Sequence, residues 1–285
     1  MNKSTRDVFS HKLCLDSMMI NLTRLDGMSQ EIKVICLVPS WTETLIEAGI
    51  CVVGRTRYCI HPSHKVQQIP IVGGTKNLDI DICLQMDADV VLFDREENTL
   101  EMVQKCDEAG LKWISTHVTN LQTCATELAR LGDFFKNEHL KKWSEEYFEI
   151  ISRETVSLDR AERLFSQLTL DGQCQLSDFR IGLPMYVIWK KPYMVVTKET
   201  FIGDVLSYIG VILPSCRAYE HEKYPIIDEE NLRKHACLFS SEPYHFEKDF
   251  VMLMNSGFKG QLIDGERLSW YGIRNLNYLK SAHFI

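Results

Sequence analysis

The chain has no strongly basic segment. Its 285 residues include 32 lysines and arginines against 39 aspartates and glutamates, and no basic run is longer than a pair such as 141–142 or 190–191. Proteins that recognise nucleic acids cluster basic side chains to neutralise phosphates. With a net charge of −7 at pH 7, this protein is expected to have no nucleic-acid partner.

The sequence also lacks the short motifs of several enzyme classes. It contains no GxGxxG, no Walker A sequence and no HExxH, and Ser40 does not lie in a GxSxG context. Those motifs form dinucleotide, phosphate, zinc and acyl-transfer sites in their respective families. Their absence favours a binding protein over an enzyme.

Long apolar runs are missing too. The chain has no stretch of about 18 apolar residues that would span a membrane, and residues 1–27 hold no continuous apolar core of a secretory signal. The ten cysteines are scattered without a CxxC pair, and several lie in apolar runs, where a thiol packs as a small hydrophobic group. We therefore expect a soluble monomer with reduced thiols, located in the cytoplasm.

Strand-like and helix-like segments alternate in the first half of the chain. The predicted strands are 33–38, 51–56, 90–93 and 112–115, and the predicted helices are 42–48, 80–86, 99–109 and 121–135. Such alternation is typical of a parallel, doubly wound sheet. A second alternation begins with a strand predicted for 185–189 and ends in a helix from about residue 273, so the same architecture is predicted twice.

A charged segment without glycine or proline separates the two halves. From Asn137 to about Gln167, apolar residues recur at spacings of three and four, which predicts a long amphipathic helix. An ordinary core-facing helix is the alternative interpretation. The predicted domains are an N-terminal extension over 1–27, a first α/β lobe over 28–136, a connecting backbone helix over 137–168 and a second α/β lobe over 169–285.

The segment 35–49 is predicted to be a strand that feeds a helix across one tight turn. Its apolar run ends at Pro39, and Ser40 followed three residues later by Glu43 has the spacing of a capping box. Ligands of α/β proteins bind at such carboxyl edges of a sheet. We therefore expect this turn to contribute to a binding site.

Five motifs follow one another along the chain. They are Val38-Pro-Ser-Trp-Thr-Glu43, Val53-Gly54 with Tyr58 and His61-Pro62, Val72-Gly-Gly-Thr-Lys-Asn77 leading to Asp89-Val-Val-Leu92, Phe201-Ile-Gly-Asp-Val-Leu206 before Tyr224-Pro225, and Asp264-Gly-Glu-Arg-Leu-Ser-Trp-Tyr-Gly-Ile-Arg274. In order and spacing they resemble the helical-backbone periplasmic-binding-protein superfamily, the vitamin B12 and iron-siderophore binding proteins that serve ABC importers. The last motif resembles a cobalamin-binding-like subgroup. The resemblance covers about residue 31 to the C-terminus.

The resemblance implies a class III periplasmic-binding-protein-like fold. Two Rossmann-like lobes with mainly parallel sheets would be joined by a single long helix, with a ligand in the cleft between them. That ligand would be a cobalamin or other corrinoid, a haem or a ferric chelate, held without covalent attachment, and an ABC permease would be a partner. The resemblance also makes a periplasmic location the alternative to the cytoplasm.

Loop aromatics and polar side chains are the candidate ligand-binding residues. Broad rings with polar tips suit a wide, partly apolar ligand, and an arginine offers a planar fork of donors. The candidates are Trp41, Tyr58, Thr75, Tyr193, Tyr224, Glu266, Trp270, Tyr271 and Arg274. Any one of these rings could instead cover the edge of a lobe, and the charged residues could pair within their own loop.

Two histidines are candidate metal ligands. His61 and His64 have HxxH spacing, but Pro62 between them argues for a loop, whereas metal-binding histidine pairs on helices are usually four residues apart. A direct metal site would need His61 to meet His117, His245 and Glu266. Surface or capping roles are the alternative for both histidines.

Two carboxylates are candidates for docking to a transporter. By position in the resemblance, Asp81 and Glu230 would pair with arginines of an ABC permease, one residue from each lobe. Exposed helix carboxylates are usually only solvated charge. Because fold alone does not fix function, two other functions stay open: a cytoplasmic cofactor-handling protein or enzyme on this fold, and a direct receptor for divalent metal ions.

Overall fold

The computed structural model describes residues 31–153, 156–170, 175–180 and 182–282. The predicted extension over 1–27 lies outside these residues. No helix in this part of the chain is long and apolar enough to cross a membrane.

The first sheet is entirely parallel. Its strands are β1 (Lys33–Cys36), β2 (Cys51–Thr56), β3 (Ile71–Gly73), β4 (Val90–Asp94) and β5 (Trp113–Thr116), in the order β3-β2-β1-β4-β5. The chain reverses its winding direction between β1 and β4, and such switch points open a crevice at the carboxyl ends of the strands. A ligand-binding site is therefore expected at the loops after β1 and β4.

Five helices cover this sheet. They are α1 (Pro39–Glu47), α2 (Ser63–Val66), α3 (Ile80–Gln85), α4 (Leu100–Glu108) and α5 (Leu121–Phe134). The strongest start signal belongs to α5, where the Asn120 side chain accepts from the Thr123 backbone N–H at 2.7 Å and Thr123 caps in return. The Leu121 N–H donates to Asp204 from the second half of the chain at 2.8 Å, so α5 begins at a contact between the lobes.

The predicted capping box at Ser40 and Glu43 is wrong. Helix α1 begins at Pro39, its N-cap is Val38, and no side chain caps it. Proline suits the first helical position because its missing N–H would have no partner there and its φ is already helical. Ser40 lies within the first turn, and the Glu43 carboxylate binds Arg274 instead.

The predicted connecting segment 137–168 forms two helices, α6 (Glu138–Ser152) and α7 (Leu158–Leu168). Arg153 leaves the helical conformation with ψ 108°, and Ser157 then starts α7 by accepting from the Arg160 N–H at 3.3 Å. Helix α6 packs mainly on α5. The single helix predicted for this segment is therefore divided into two helices.

The second sheet has four strands in the order β7-β6-β8-β9. They are β6 (Met185–Lys190), β7 (Tyr193–Val196), β8 (Ala236–Ser240) and β9 (Lys259–Ile263). Strands β6, β8 and β9 are parallel, and β7 is antiparallel to β6. The helices around it are α8 (Ser177–Arg180), α9 (Phe201–Tyr208), α10 (Glu229–Leu232), α11 (Phe250–Asn255), α12 (Gly265–Ser269) and α13 (Ile273–Ser281), with 3-10 turns at Cys216–Tyr219 and Phe246–Lys248.

One apolar core runs through both lobes. Trp41 from α1, Tyr147 from α6 and Tyr186 from β6 are fully buried members of the same cluster. The C-terminal helix α13 packs on α1, α6 and α7. We call α1, α5, α6, α7 and α13 the spine, because they join the lobes through shared side-chain packing.

Gly272 allows α13 to approach α1 closely. Its φ is +81°, and a Cβ added there would lie 2.2 Å from the Thr44 hydroxyl oxygen. That hydroxyl accepts from the Ile273 N–H at 3.1 Å. Only glycine combines this backbone conformation with the room that the contact requires.

Candidate functional site

The loop after β4 lies at the switch point and is held in place by the hydrogen bonds of one buried side chain. Asn98 is buried, and its amide donates to the backbone carbonyls of Leu37 at 3.1 Å and Thr75 at 3.0 Å. Its carbonyl oxygen accepts from the Asp94 N–H at 2.9 Å. A single side chain thereby ties together the loops that follow β1, β3 and β4. Thr75 takes part through its backbone.

Asp94 ends β4 as a buried carboxyl. It accepts from the Thr116 hydroxyl at 2.7 Å, the Val118 N–H at 3.2 Å and the Glu96 N–H at 2.9 Å. Burial raises the pKa of Asp94 to about 6, although the hydrogen bond from Thr116 acts in the opposite direction. This carboxyl organises the switch-point loop.

Charged residues join the lobes at one side of the cleft. Arg274 donates to both oxygens of Glu43 at 2.8 Å and to Glu266 at 2.9 Å, and its guanidinium lies 5.2 Å from the centre of the Trp270 ring. His61 binds Glu266 at 3.1 Å and meets Trp270 edge to face at 5.1 Å. We call Glu43, His61, Glu266 and Arg274 the Arg274 latch.

A second contact joins the lobes through the loop after β4. Lys223 from the second lobe binds Glu96 at 3.2 Å, and His117 after β5 binds the same carboxylate at 3.1 Å. The hydrogen bond from His117 holds the pKa of Glu96 below its usual range despite partial burial, and Lys223 lowers it further. We call these three residues the Lys223 latch.

The ionisation of Glu97 and Tyr224 is affected by carboxylates of both lobes. Burial raises the pKa of Glu97, and the Glu242 carboxylate across the cleft raises it further, although Lys76 opposes this shift. Partial burial raises the pKa of Tyr224, followed by the carboxylates of Glu96 and Glu97. Tyr224 of the second lobe directly follows Lys223, which binds Glu96 of the switch-point loop.

The predicted aromatic residues fall into two groups. Tyr58 and Tyr224 are 55% and 39% exposed, and we call these two rings the rim. Trp270 and Tyr271, just before α13, are buried, and Trp41 in α1 is completely buried, donating from its indole to Thr116 at 2.8 Å. The exposure of the first two leaves them free to meet a ligand.

Tyr193 lies apart from the cleft residues. It packs against Phe258 at 5.8 Å in a separate apolar cluster of the second lobe. Of the metal candidates, His61 belongs to the Arg274 latch and His64 is exposed at the start of α2. No group of three or more metal-binding side chains occurs among the described residues.

The docking candidates both lie on exposed helix turns. Asp81 occupies the first turn of α3, and Glu230 lies in α10, where it pairs with Lys234 at 3.3 Å. Asp81 also lines a cavity of about 600 Å³ at the outer edge of the first lobe.

Sequence reasoning missed the carboxylates of the cleft. Asp94 is the last residue of β4, Glu97 lies in the polar run that follows it, and Glu242 follows β8. Polar residues just after a buried parallel strand lie at the carboxyl edge of the sheet, where α/β proteins bind ligands. That signal is present in the sequence, but the predicted site consists mainly of aromatic residues and does not use it.

No protein-family model and no curated protein sequence matches the chain. Solved structures do match it. A periplasmic vitamin B12 binding protein of Vibrio cholerae has a TM-score of 0.63 and 14% identity, covering 88% of this chain and 94% of its own. A periplasmic heme binding protein of Pseudomonas aeruginosa has a TM-score of 0.65 and 18% identity, covering 88% and 91%. An ABC transporter substrate-binding protein of Listeria monocytogenes has a TM-score of 0.59 and 15% identity, covering 89% and 97%.

The fold is that of the class III periplasmic binding proteins. The predicted fold class is confirmed, since a parallel sheet and a second, mainly parallel sheet form two α/β lobes. The expected cytoplasmic location is contradicted, because the solved structures with the class III fold are described as periplasmic proteins. The thiols were a poor guide: most described cysteines are buried free thiols, so they reflect packing and not compartment.

Proposed function

We propose that this protein is a solute-binding protein that holds a metal-chelate ligand, a corrinoid, a haem or an iron chelate, between its two lobes. The observation that carries this proposal is the meeting of the switch-point loop of the first lobe with the second lobe, where Lys223, next to Tyr224, binds Glu96 at 3.2 Å. On the class III fold, a ligand placed there would touch both lobes at once. Two exposed phenol rings at the rim, Tyr58 and Tyr224, offer broad contact area with little loss of side-chain entropy.

A titration tests this proposal. Cyanocobalamin, haemin and a ferric siderophore are added separately to the purified protein, and tryptophan fluorescence and calorimetry are followed. We expect at least one of them to give a saturable change with one ligand per chain. The absence of saturable binding by all three would contradict the proposal.

Variants at the rim show whether binding occurs in the cleft. Tyr58→Ala and Tyr224→Ala should each weaken binding about 3- to 10-fold, since the stacking of one ring contributes about 0.5–1.5 kcal/mol. Phe148→Ala is the matched control, because Phe148 is an aromatic residue of similar exposure on α6. Equal losses in all three variants would place the ligand elsewhere.

We further propose that Asp81 and Glu230 meet an ABC permease, one carboxylate from each lobe. Their exposure on short helices supports this role, because both carboxylates are accessible from solvent. Asp81→Lys combined with Glu230→Lys should abolish ligand uptake in the native host without changing ligand affinity in solution. Normal uptake by this double variant would contradict the docking role.

A further inference from the structure

A cavity of about 320 Å³ lies between the spine and the second lobe. The spine contributes residues at the end of α6 and the start of α7, and the second lobe contributes Arg180 from α8 and residues 207–210 at the end of α9. Cavities of this volume accept small organic ligands in proteins. The cavity shares no residue with the rim or with either latch, so a ligand bound here would occupy a second site.

Three arginines meet at this cavity. Arg153 and Arg180 line it, and so does Tyr208. Arg160 lies behind the cavity wall, where its guanidinium carbon is 5.9 Å from the centre of the Tyr208 ring. The Arg180 guanidinium lies against Gly210, since its Nε would be 3.5 Å from a Cβ added to that glycine. Positive charges from α6, α7 and α8 are thereby brought to one place.

Only one of these arginines has a carboxylate partner among the described residues. Arg153 pairs with Glu149 at 2.9 Å, one turn earlier in α6. Arg160 is 8% exposed and donates to the Leu279 carbonyl at 3.1 Å, but it forms no ion pair and its Nε has no hydrogen-bond partner. Arg180 is exposed and forms no ion pair either. Because buried charges in proteins are normally paired, a bound anion is a fitting partner for this cluster.

The acceptor groups beside the arginines are already engaged. The carbonyls of Leu206 and Ser207, in the last turn of α9, accept from backbone N–H groups at 2.9 Å and 3.0 Å. The Asp178 carboxylate, on the same helix as Arg180, accepts from the Gln175 N–H at 3.2 Å. The rest of the cavity lining is mainly apolar: Val156, Leu158, Ala161 and Ile209. A ligand that fits this surface has a negative group and an apolar body.

We propose that this cavity binds a small organic anion, a carboxylate or a phosphate monoester with an apolar body. Arg180 donates to the anion, because a guanidinium matches carboxylate and phosphate oxygens with paired donors. The charges of Arg153 and Arg160 add attraction, and Arg160 acts from a buried position where water screens it weakly. The inference goes beyond the proposed function and does not depend on it.

Calorimetric titration with two aromatic anions tests the inference. Benzoate supplies a carboxylate and phenyl phosphate a phosphate monoester, and benzamide is the neutral control. At neutral pH and low salt, we expect at least one of the anions to bind with a Kd below about 1 mM and benzamide to bind at least about tenfold more weakly. Inorganic phosphate, which has no apolar body, should bind more weakly than phenyl phosphate. Equal affinities for these two phosphates would overturn the assignment of an organic anion.

A pair of arginine variants locates the bound anion. Arg180→Met should weaken anion binding at least about fivefold, since it removes the lining arginine that has no carboxylate partner. Arg217→Met is the matched control and should leave the affinity unchanged, because Arg217 is an exposed arginine of the second lobe outside the cavity. Circular dichroism shows that both variants are folded. Unchanged affinity in Arg180→Met, or equal losses in the two variants, would overturn the inference. Failure of both aromatic anions to bind would also overturn it, whatever the metal chelates do in the cleft.

Discussion

The aromatic residues of the rim and those of the spine have similar positions in the sequence and different surroundings in the structure. Tyr58 follows β2 and is 55% exposed, whereas Trp41 follows β1 and is completely buried. Trp41 packs edge to face on Tyr271 at 5.1 Å, and Tyr271 in turn contacts Phe201 at 5.6 Å. The buried rings therefore join the lobes, whereas the exposed rings of the rim remain available to a ligand.

The largest expected effect comes from removing the central ring of the spine. Trp41→Ala should lower the free energy of unfolding by about 3–5 kcal/mol, because it opens a cavity in a core shared by both lobes. Tyr58→Ala, at the rim, should change it by less than about 0.5 kcal/mol. Urea denaturation followed by circular dichroism measures both. Similar losses in the two variants would remove the distinction between rim and spine.

The Asp94 carboxyl between rim and spine should make stability depend on pH. Its folded pKa of about 6 lies above the ordinary value of 3.8, so the folded protein binds the extra proton between these two values. The stabilisation is complete below about pH 4 and is lost as the pH rises through about 6. Relative to Asp94→Asn, the native protein should therefore lose about 2–3 kcal/mol of unfolding free energy between pH 4 and pH 7.

Urea denaturation of both proteins at several pH values tests this expectation. The difference between the two proteins cancels the contributions of the other carboxylates, several of which have lowered pKa values, such as Glu199 at about 2. A difference that does not vary with pH would show that Asp94 is ionised in the folded protein across this range.

The next largest loss of stability is expected where α13 approaches α1 closely, at Gly272. Gly272→Ala should cost about 2 kcal/mol, since it adds a clash with the Thr44 hydroxyl to the strain of a positive φ. Gly257→Ala is the matched control: its φ is +94°, but nothing lies within 4 Å of the added Cβ, so only the strain of about 1 kcal/mol is expected. Equal costs in thermal or urea unfolding would show that the contact with Thr44 relaxes easily.

Much of the fold could be predicted because its signals are local. Strand β2 was predicted with its observed bounds, 51–56, since its apolar run is flanked by clear breaks. The short strand β3 and the antiparallel strand β7 were missed, because their pairing depends on neighbours distant in sequence. The break between α6 and α7 was missed as well, since apolar periodicity continues across it.

The site was less predictable than the fold. Sequence alone could not separate Trp41 from Tyr58, because both are amphipathic rings that closely follow a strand, and their burial is decided by what packs over them. The Arg274 latch joins Glu43 to a residue more than 200 positions away. Glu266 and Arg274 were predicted as ligand contacts, and the alternative, pairing within their own loop, describes part of what they do.

Substitutions in the two latches should cause the smallest losses of unfolding free energy, and the loss should be larger for Arg274 than for Lys223. Arg274→Met leaves Glu43 and Glu266 without their shared cation in a mostly buried setting, so we expect a loss of about 1–2 kcal/mol in unfolding free energy. Lys223→Met should cost less than about 0.5 kcal/mol, because Lys223 is more exposed and Glu96 retains His117. A ligand that closes the cleft should add more unfolding free energy than either variant removes. Urea unfolding with and without ligand measures this difference. A larger effect at Lys223 than at Arg274 would mean that the lobes are held together at the rim and not along the spine.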